Sequence, residues 1–392
     1  MDNKNAEQKK PLTRFGEFDL LKALAIMGLP AVHVMEEALE GNFSSPGLVK
    51  FSYMVIGLCT FGPSVFMICM GFGISGGRTK HDAVLRNGIQ FLLIGAILNI
   101  LRWFLPGIIQ SALIDKNLLN DLDFCLMSDI YYFVGIYYIF YAFMLKIGVK
   151  TPGLIMISIL MLTANMLLTP VMHDLIKDPT LSALVGNYIY VDETSCFPLL
   201  SWAIFPSVGI LLGDILKKSD EEKRANIMKR TMDFSAVLFI SFVSFLWVYK
   251  IDIMKALVSP ANEYITDLPN VILLISLALF LISLAYYLCK HIGSSSFMEF
   301  ILRISAFIIP FYMLQWIIIA WLFYGLEIAH MKPGSFNLIM YLVSVIIITF
   351  ICIIVTINHG MKMMKTLLKI TNVKKKKKKK NKKNKKIEGK EV

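Results

Sequence analysis

The chain has 392 residues, of which 56% are apolar, 12% aromatic and only 17% charged. That leaves too little polar side chain to coat a water-soluble globule, so a lipid bilayer is its natural solvent. The formal net charge of +12 is not a nucleic-acid signature: Lys374 to the end contributes twelve Lys and two Glu, or +10, and the rest of the chain is nearly neutral.

A spanning helix needs roughly 20 predominantly apolar residues, and the chain supplies ten such segments in order. They run Phe18–Ala38, Val49–Ser75, Leu85–Leu105, Leu126–Leu145, Pro152–Val171, Phe197–Leu216, Phe234–Tyr249, Asn270–Cys289, Ile301–Tyr324 and Asn337–Asn358. The predicted fold class is therefore all-α, a polytopic membrane protein of about ten helices. Met1–Lys10 is polar and leads into a long span without a small-residue cleavage site, so the first span is expected to stay in the mature protein. Basic residues collect on alternate connections: Lys9, Lys10 and Arg14; Arg78, Lys80 and Arg86; Lys146 and Lys150; Lys217 to Arg230; and the C-terminal tail. The other connections carry Glu36, Glu37, Glu40, Asp115, Asp121, Asp123, Asp174, Asp178, Asp192, Glu193, Glu263 and Asp267. By the positive-inside rule the basic side, with both termini, is cytoplasmic.

The resulting layout is a cytoplasmic segment 1–14, a membrane domain 15–366 and a Lys-rich cytoplasmic tail 367–392, whose self-repelling composition predicts disorder. Such a tail suits anionic lipid better than RNA or another protein. Six scattered cysteines lack C-x-x-C spacing, so neither a metal site nor a disulfide framework is indicated, although Cys125 and Cys196 share a side and could pair. Nor does the chain show the internal repeat of many transporters.

The first helix holds the most informative pattern. Asp19, Lys22, Ile26, Pro30, His33 and Glu37 are spaced 3, 4, 4, 3 and 4 apart, which keeps them on one stripe. Lys22 and His33 differ by eleven residues, about 20° in azimuth and about 16 Å along the axis. Pro30 cannot bond the carbonyl of Ile26 and tends to kink the helix just below the imidazole. Ionisable residues inside a membrane are costly, hence candidates for function; the plainer alternative is that the carboxylates and Lys22 snorkel to water and His33 bonds a neighbour.

Arg14, Asp19, Lys22 and His33, with a cation eleven residues before the histidine, resemble the start of the transmembrane acyltransferase superfamily. That grouping includes the heparan-α-glucosaminide N-acetyltransferase type and the membrane O-acetyltransferases of surface polysaccharides. Phe61–Arg78, Leu85–Phe104, Leu126–Lys146 and Cys196–Lys218 are similar to its next signature helices, so the resemblance is continuous over roughly residues 12–218 and fainter near Pro310–Trp316. Lys22 departs from the pattern, standing where many relatives have Arg, which keeps the charge but loses the bidentate fork for phosphate.

The resemblance implies an acyl-CoA-dependent O- or N-acyltransferase that takes an acetyl group from cytoplasmic acetyl-CoA to an extracytoplasmic carbohydrate. The expected setting is the plasma membrane of a prokaryote, with no metal and no nucleic acid, and a homodimer is left open. Lys22, Arg14, Asp19, Arg78, Arg86 and Asn99 would serve the cofactor, while His33 would act as base or nucleophile, oriented by Asp129 or Glu37. Arg102, Trp202 and Gln315 would face the substrate. Asp129 equally suits an N-cap, Arg102 an interfacial anchor, and Gln315 a helix-to-helix bond. His173 and His330 are the competing outer histidines. A solute carrier using the Lys22–His33 stripe as a proton or ion path is the other functional class, and a non-catalytic scaffold would leave that stripe unexplained.

Overall fold

A computed structural model describes residues 15–59, 61–75, 81–114, 129–191, 195–249, 268–293 and 295–371, and these are helical apart from short connections and one isolated β-bridge between Ser44 and Phe336. Among the described residues seven helices are long and apolar enough to cross a bilayer, and Gly62–Ile74 and Ile130–Lys146 add two shorter apolar ones. The protein is thus an all-helical, multi-pass membrane protein.

The first helix, α1 (Gly16–Glu40), starts with Glu17 and Asp19, carboxylates that suit the positive end of a helix dipole. The expected second span is divided: α2 (Pro46–Cys59) ends before Phe61, and α3 (Gly62–Ile74) restarts with Pro63 in its first turn, where a missing N–H costs nothing. The third span runs past its predicted end at Leu105. It comprises α4 (His81–Asn99), a π-helical turn at Ile100–Phe104 and α5 (Leu105–Ile114), the Leu105 N–H reaching back five residues to the Ile100 carbonyl. Four helices follow: α6 (Ile130–Lys146), α7 (Thr151–Leu175), the short α8 (Pro179–Val185) and the single turn α9 (Leu199–Trp202), which leads into α10 (Ile204–Leu216).

What the sequence read as a basic loop around Lys223 to Arg230 is the first half of α11 (Glu221–Val248), capped by the Asp220 carboxylate, which accepts from the Lys223 N–H at 2.9 Å. Next come α12 (Leu268–Ile292) and then, in place of one ninth span, two helices broken at Phe307: α13 (Ser296–Ala306) and α14 (Ile308–Ile328). Pro310 explains the break, since a proline is tolerated in a first turn and not in a helix interior. The last helix, α15 (Leu338–Thr371), has 34 residues and passes through the boundary expected at residue 367; the rest of the expected tail lies outside the described residues.

The molecule is built around α1, which packs against α2, α3, α12, α13, α14 and α15. Beside it α3 and α10 touch backbone to backbone: a Cβ on Gly71 would lie 1.9 Å from the Pro206 carbonyl oxygen, and one on Gly209 2.0 Å from that of Ile68. Small residues at such a crossing are how membrane helices approach closely. The Lys217 Nζ, just past α10, donates to the Phe72 and Ser75 carbonyls at 2.7 and 2.8 Å and so closes the end of α3. At the opposite end of α1, the Phe336 N–H bonds the Phe43 carbonyl at 2.8 Å and the Ser45 N–H bonds the Phe336 carbonyl at 3.0 Å. From there α15 runs back along α1, and the Tyr341 hydroxyl donates to the Ala31 carbonyl at 3.0 Å.

Candidate active site

The π turn places Arg102 in the protein interior. A wide turn leaves carbonyls without their usual partners, and here the Leu101 carbonyl accepts from the Trp321 indole of α14 at 3.0 Å. Arg102 is 3% exposed. Its Nη1 lies 3.0 Å from Asp129 Oδ2, and its Nε donates to Asn99 Oδ1 at 3.1 Å, one turn earlier. Asp129 also accepts from the Tyr312 hydroxyl at 3.0 Å, and its other oxygen caps α6 through the Tyr131 N–H at 3.0 Å. Asp129 is thus the N-cap of α6 and at the same time the partner of Arg102, whereas its expected bond to His33 is not made. Tyr131 completes the lattice by donating to the Ile309 carbonyl at 2.9 Å. A buried guanidinium with this many charge-assisted partners is fixed in position, which is what makes so costly an ion tolerable in an apolar interior.

His33 lies against this network. Its ring stacks on Trp316 at 3.9 Å with 24° between planes, and it meets Tyr312 edge-on at 6.0 Å. Trp316 in turn lies under the Arg102 guanidinium, 4.6 Å away. The group on the imidazole Nδ1 is neither Asp129 nor Glu37 but Gln315, whose Nε2 is 3.2 Å distant. The Gln315 Oε1 is buried and has no hydrogen-bond partner among the described residues. Glu37, one turn along α1, is half-buried. Trp202 is buried against Phe197 and Phe205 in the wall formed by α9 and α10.

About 16 Å down α1 from His33, a second polar cluster occupies the other end. Lys22 pairs with Asp19 at 2.9 Å, and Asp19 also accepts from Ser305 Oγ of α13 at 2.6 Å. One turn lower, Glu17 is 2% exposed and forms an ion pair with Arg224 of α11, whose guanidinium also covers the Phe15 ring at 4.1 Å. Sequence reasoning missed Arg224 and Ser305. Arg224 reads as one of many loop cations, and Ser305 carries no local signal. Arg86 is exposed on α4, and Arg14 and Arg78 lie outside the described residues. The structure thus unites His33, Gln315, Arg102, Asn99 and Asp129 at one level of the bundle and Asp19 with Lys22 at another.

These features define a multi-pass membrane protein that gathers ionisable and aromatic groups inside its helix bundle around one histidine. A family model described as an acyltransferase domain, Acyl_transf_3, matches residues 15–357. The chain belongs to the Acyl_transf_3 acyltransferase family and is a membrane-bound acyl-group transferase. No curated protein and no solved structure matches it.

Proposed function

We propose that the protein moves an acetyl group from cytoplasmic acetyl-CoA to a hydroxyl or amino group of an extracytoplasmic sugar or cell-surface glycan, in the plasma membrane of a prokaryotic cell. The sugar acceptor follows the resemblance to the heparan-α-glucosaminide and polysaccharide acetyltransferases. The observation that carries the reading is His33, buried in the interior of a spanning helix, bonded by Gln315, walled by Trp316 and neighboured by the fixed cation Arg102. Lys22, with Arg14, Arg78 and Arg86, would hold the CoA phosphates at the inner end. The pantetheine arm would rise along the Lys22–His33 face to bring its thioester to the imidazole. At the outer end Trp202 would contact the sugar, and the Lys-rich tail would keep the inner face at anionic lipid.

The chemistry is direct transfer or a two-step relay. In the first, His33 takes the proton from the acceptor O–H or N–H as the heteroatom attacks the thioester carbonyl. The tetrahedral oxyanion is held by Arg102 or the Gln315 amide. The C–S bond then breaks, and the CoA sulfur receives the proton from the imidazolium. In the second, His33 attacks the thioester carbonyl first; the C–S bond breaks, CoA leaves as the thiol with the proton of the acetyl-imidazolium, and the acceptor then attacks the acetyl-imidazole, breaking its C–N bond and returning its proton to the ring. Either route needs a definite tautomer. Turning the Gln315 amide over would place Oε1, otherwise unpartnered, on an Nδ1–H and leave the imidazole Nε2 as the basic nitrogen. The test is purified protein in detergent titrated with acetyl-CoA: binding with slow release of free CoA is expected. Failure of both would sink the donor assignment.

A further inference from the structure

The end of α15 carries a basic groove. Bilayer hydrocarbon is about 30 Å thick, spanned by roughly 20 helical residues, whereas α15 has 34. Its excess is not polar all round. Ile347, Ile351 and Ile354 are 51%, 39% and 42% exposed, and the same face continues, at spacings of 4, 4, 3 and 4, into Asn358, Lys362, Lys365 and Lys369. One exposed stripe therefore changes from aliphatic to basic at Asn358, about 20 residues from the start of the helix at Leu338, the length that spans the hydrocarbon. Asn358, Met361, Lys362, Lys365, Thr366 and Lys369 line an open groove of about 420 Å³. Three ammonium groups, an amide and a hydroxyl all offer donors along it. Beside them Met361, Leu368 and Ile370, 56%, 41% and 61% exposed, supply apolar surface of the kind that sits at the acyl boundary.

We propose that this stripe holds the headgroup of an anionic phospholipid. Its face continues the lipid-facing side of α15, so the ligand arrives from the bilayer. His33 is not involved: Tyr341, which bonds the backbone of α1 two residues before His33, lies 21 residues before Lys362, about 31 Å away along the helix. A run of lysines in sequence attracts a charged surface diffusely, whereas a stripe on one face of a helix grips one headgroup with side chains at fixed separation.

The test is native mass spectrometry of the full chain extracted from vesicles of equal parts phosphatidylcholine and phosphatidylglycerol. The expected result is phosphatidylglycerol retained over phosphatidylcholine by roughly tenfold, given the attraction of several lysines near a membrane surface. Lys362→Gln, Lys365→Gln and Lys369→Gln together should bring that preference close to unity. A full-length variant with every lysine after Val373 changed to Gln should keep most of it. Lys362, Lys365 and Lys369 are at the surface, and unchanged thermal unfolding in detergent verifies that both variants fold. The reverse pattern, equal losses in both variants, or no preference in the parent protein would each overturn the site. So would displacement of the lipid by added CoA, which would make the stripe a nucleotide-phosphate site. Acetyl-CoA hydrolysis, measured on the same samples, should be unchanged in the stripe variant, so this site and the acyl-transfer reading can fail separately.

Discussion

His33→Gln leaves a hydrogen-bonding side chain in the imidazole's place but no titratable nitrogen. Acyl transfer and acetyl-CoA hydrolysis should fall by at least about 10²-fold, the usual contribution of a positioned base, with CoA affinity nearly unchanged under the proposal that the phosphates bind near Lys22. Retention of most activity would make the imidazole structural and direct attention to His173 or His330. Lys22→Ala should do the opposite, weakening CoA in a titration while the protein stays stable in detergent. Asp129→Asn strands a buried guanidinium, at a cost of about 3–5 kcal/mol, which should appear as a large drop in the detergent unfolding temperature. Combining it with Arg102→Met should restore stability and leave the protein inactive; if activity returned as well, Arg102 would be packing alone. Much of this site was legible in the sequence because His33, Lys22, Asp129 and Arg102 are charged or titratable in apolar surroundings. The bond from Gln315 to His33 was not, since 282 residues separate them and no local pattern encodes the pairing.

Among the elements, the helices were legible and their breaks were not. Hydropathy summed over a window passes through Phe61 and Phe307 without a change, because both residues are themselves apolar; at Phe307 it is the backbone, at φ −118° and ψ 31°, that leaves the helix. The π turn is equally silent, since Ile100–Phe104 has the composition of its neighbours, yet it carries Arg102 inward. The α3–α10 crossing allows a sharper test. Gly209→Val puts a branched side chain where even a Cβ would overlap the Ile68 carbonyl oxygen, so folded protein recovered in detergent should fall steeply. Gly28, interior to α1, has nothing within 4 Å of its would-be Cβ. Gly28→Ala should therefore be neutral or stabilising by up to about 1 kcal/mol in thermal unfolding. Equal damage from both would refute close packing as the reason for glycine at position 209.

For the whole molecule, the charge distribution predicts that Lys177 is outside and Ser219 inside. An impermeant thiol reagent applied to intact cells should label a cysteine placed at Lys177 and miss one placed at Ser219. The reverse would invert the protein and move CoA entry to the wrong face. That the chain is a multi-pass helical membrane protein can be read from sequence because it follows from a sum of apolar length. Which helix becomes the hub cannot, because that is decided by pairwise fit between segments far apart in the chain.

The central position of α1 also sets a timetable. It is the first of the described helices to be made, yet its polar atoms find their partners 282, 286 and 310 residues later, in Gln315, Ser305 and Tyr341. At a synthesis rate of roughly 5–20 residues per second, Asp19 and His33 wait about 15–60 s before the groups that satisfy them emerge. During that interval α1 must be sheltered by the insertion machinery or by provisional neighbours. A chain ended after Ile292 has every hydrophobic segment through α12 and lacks those three partners, and in a pulse-chase it should be cleared by membrane proteases while the full-length protein persists.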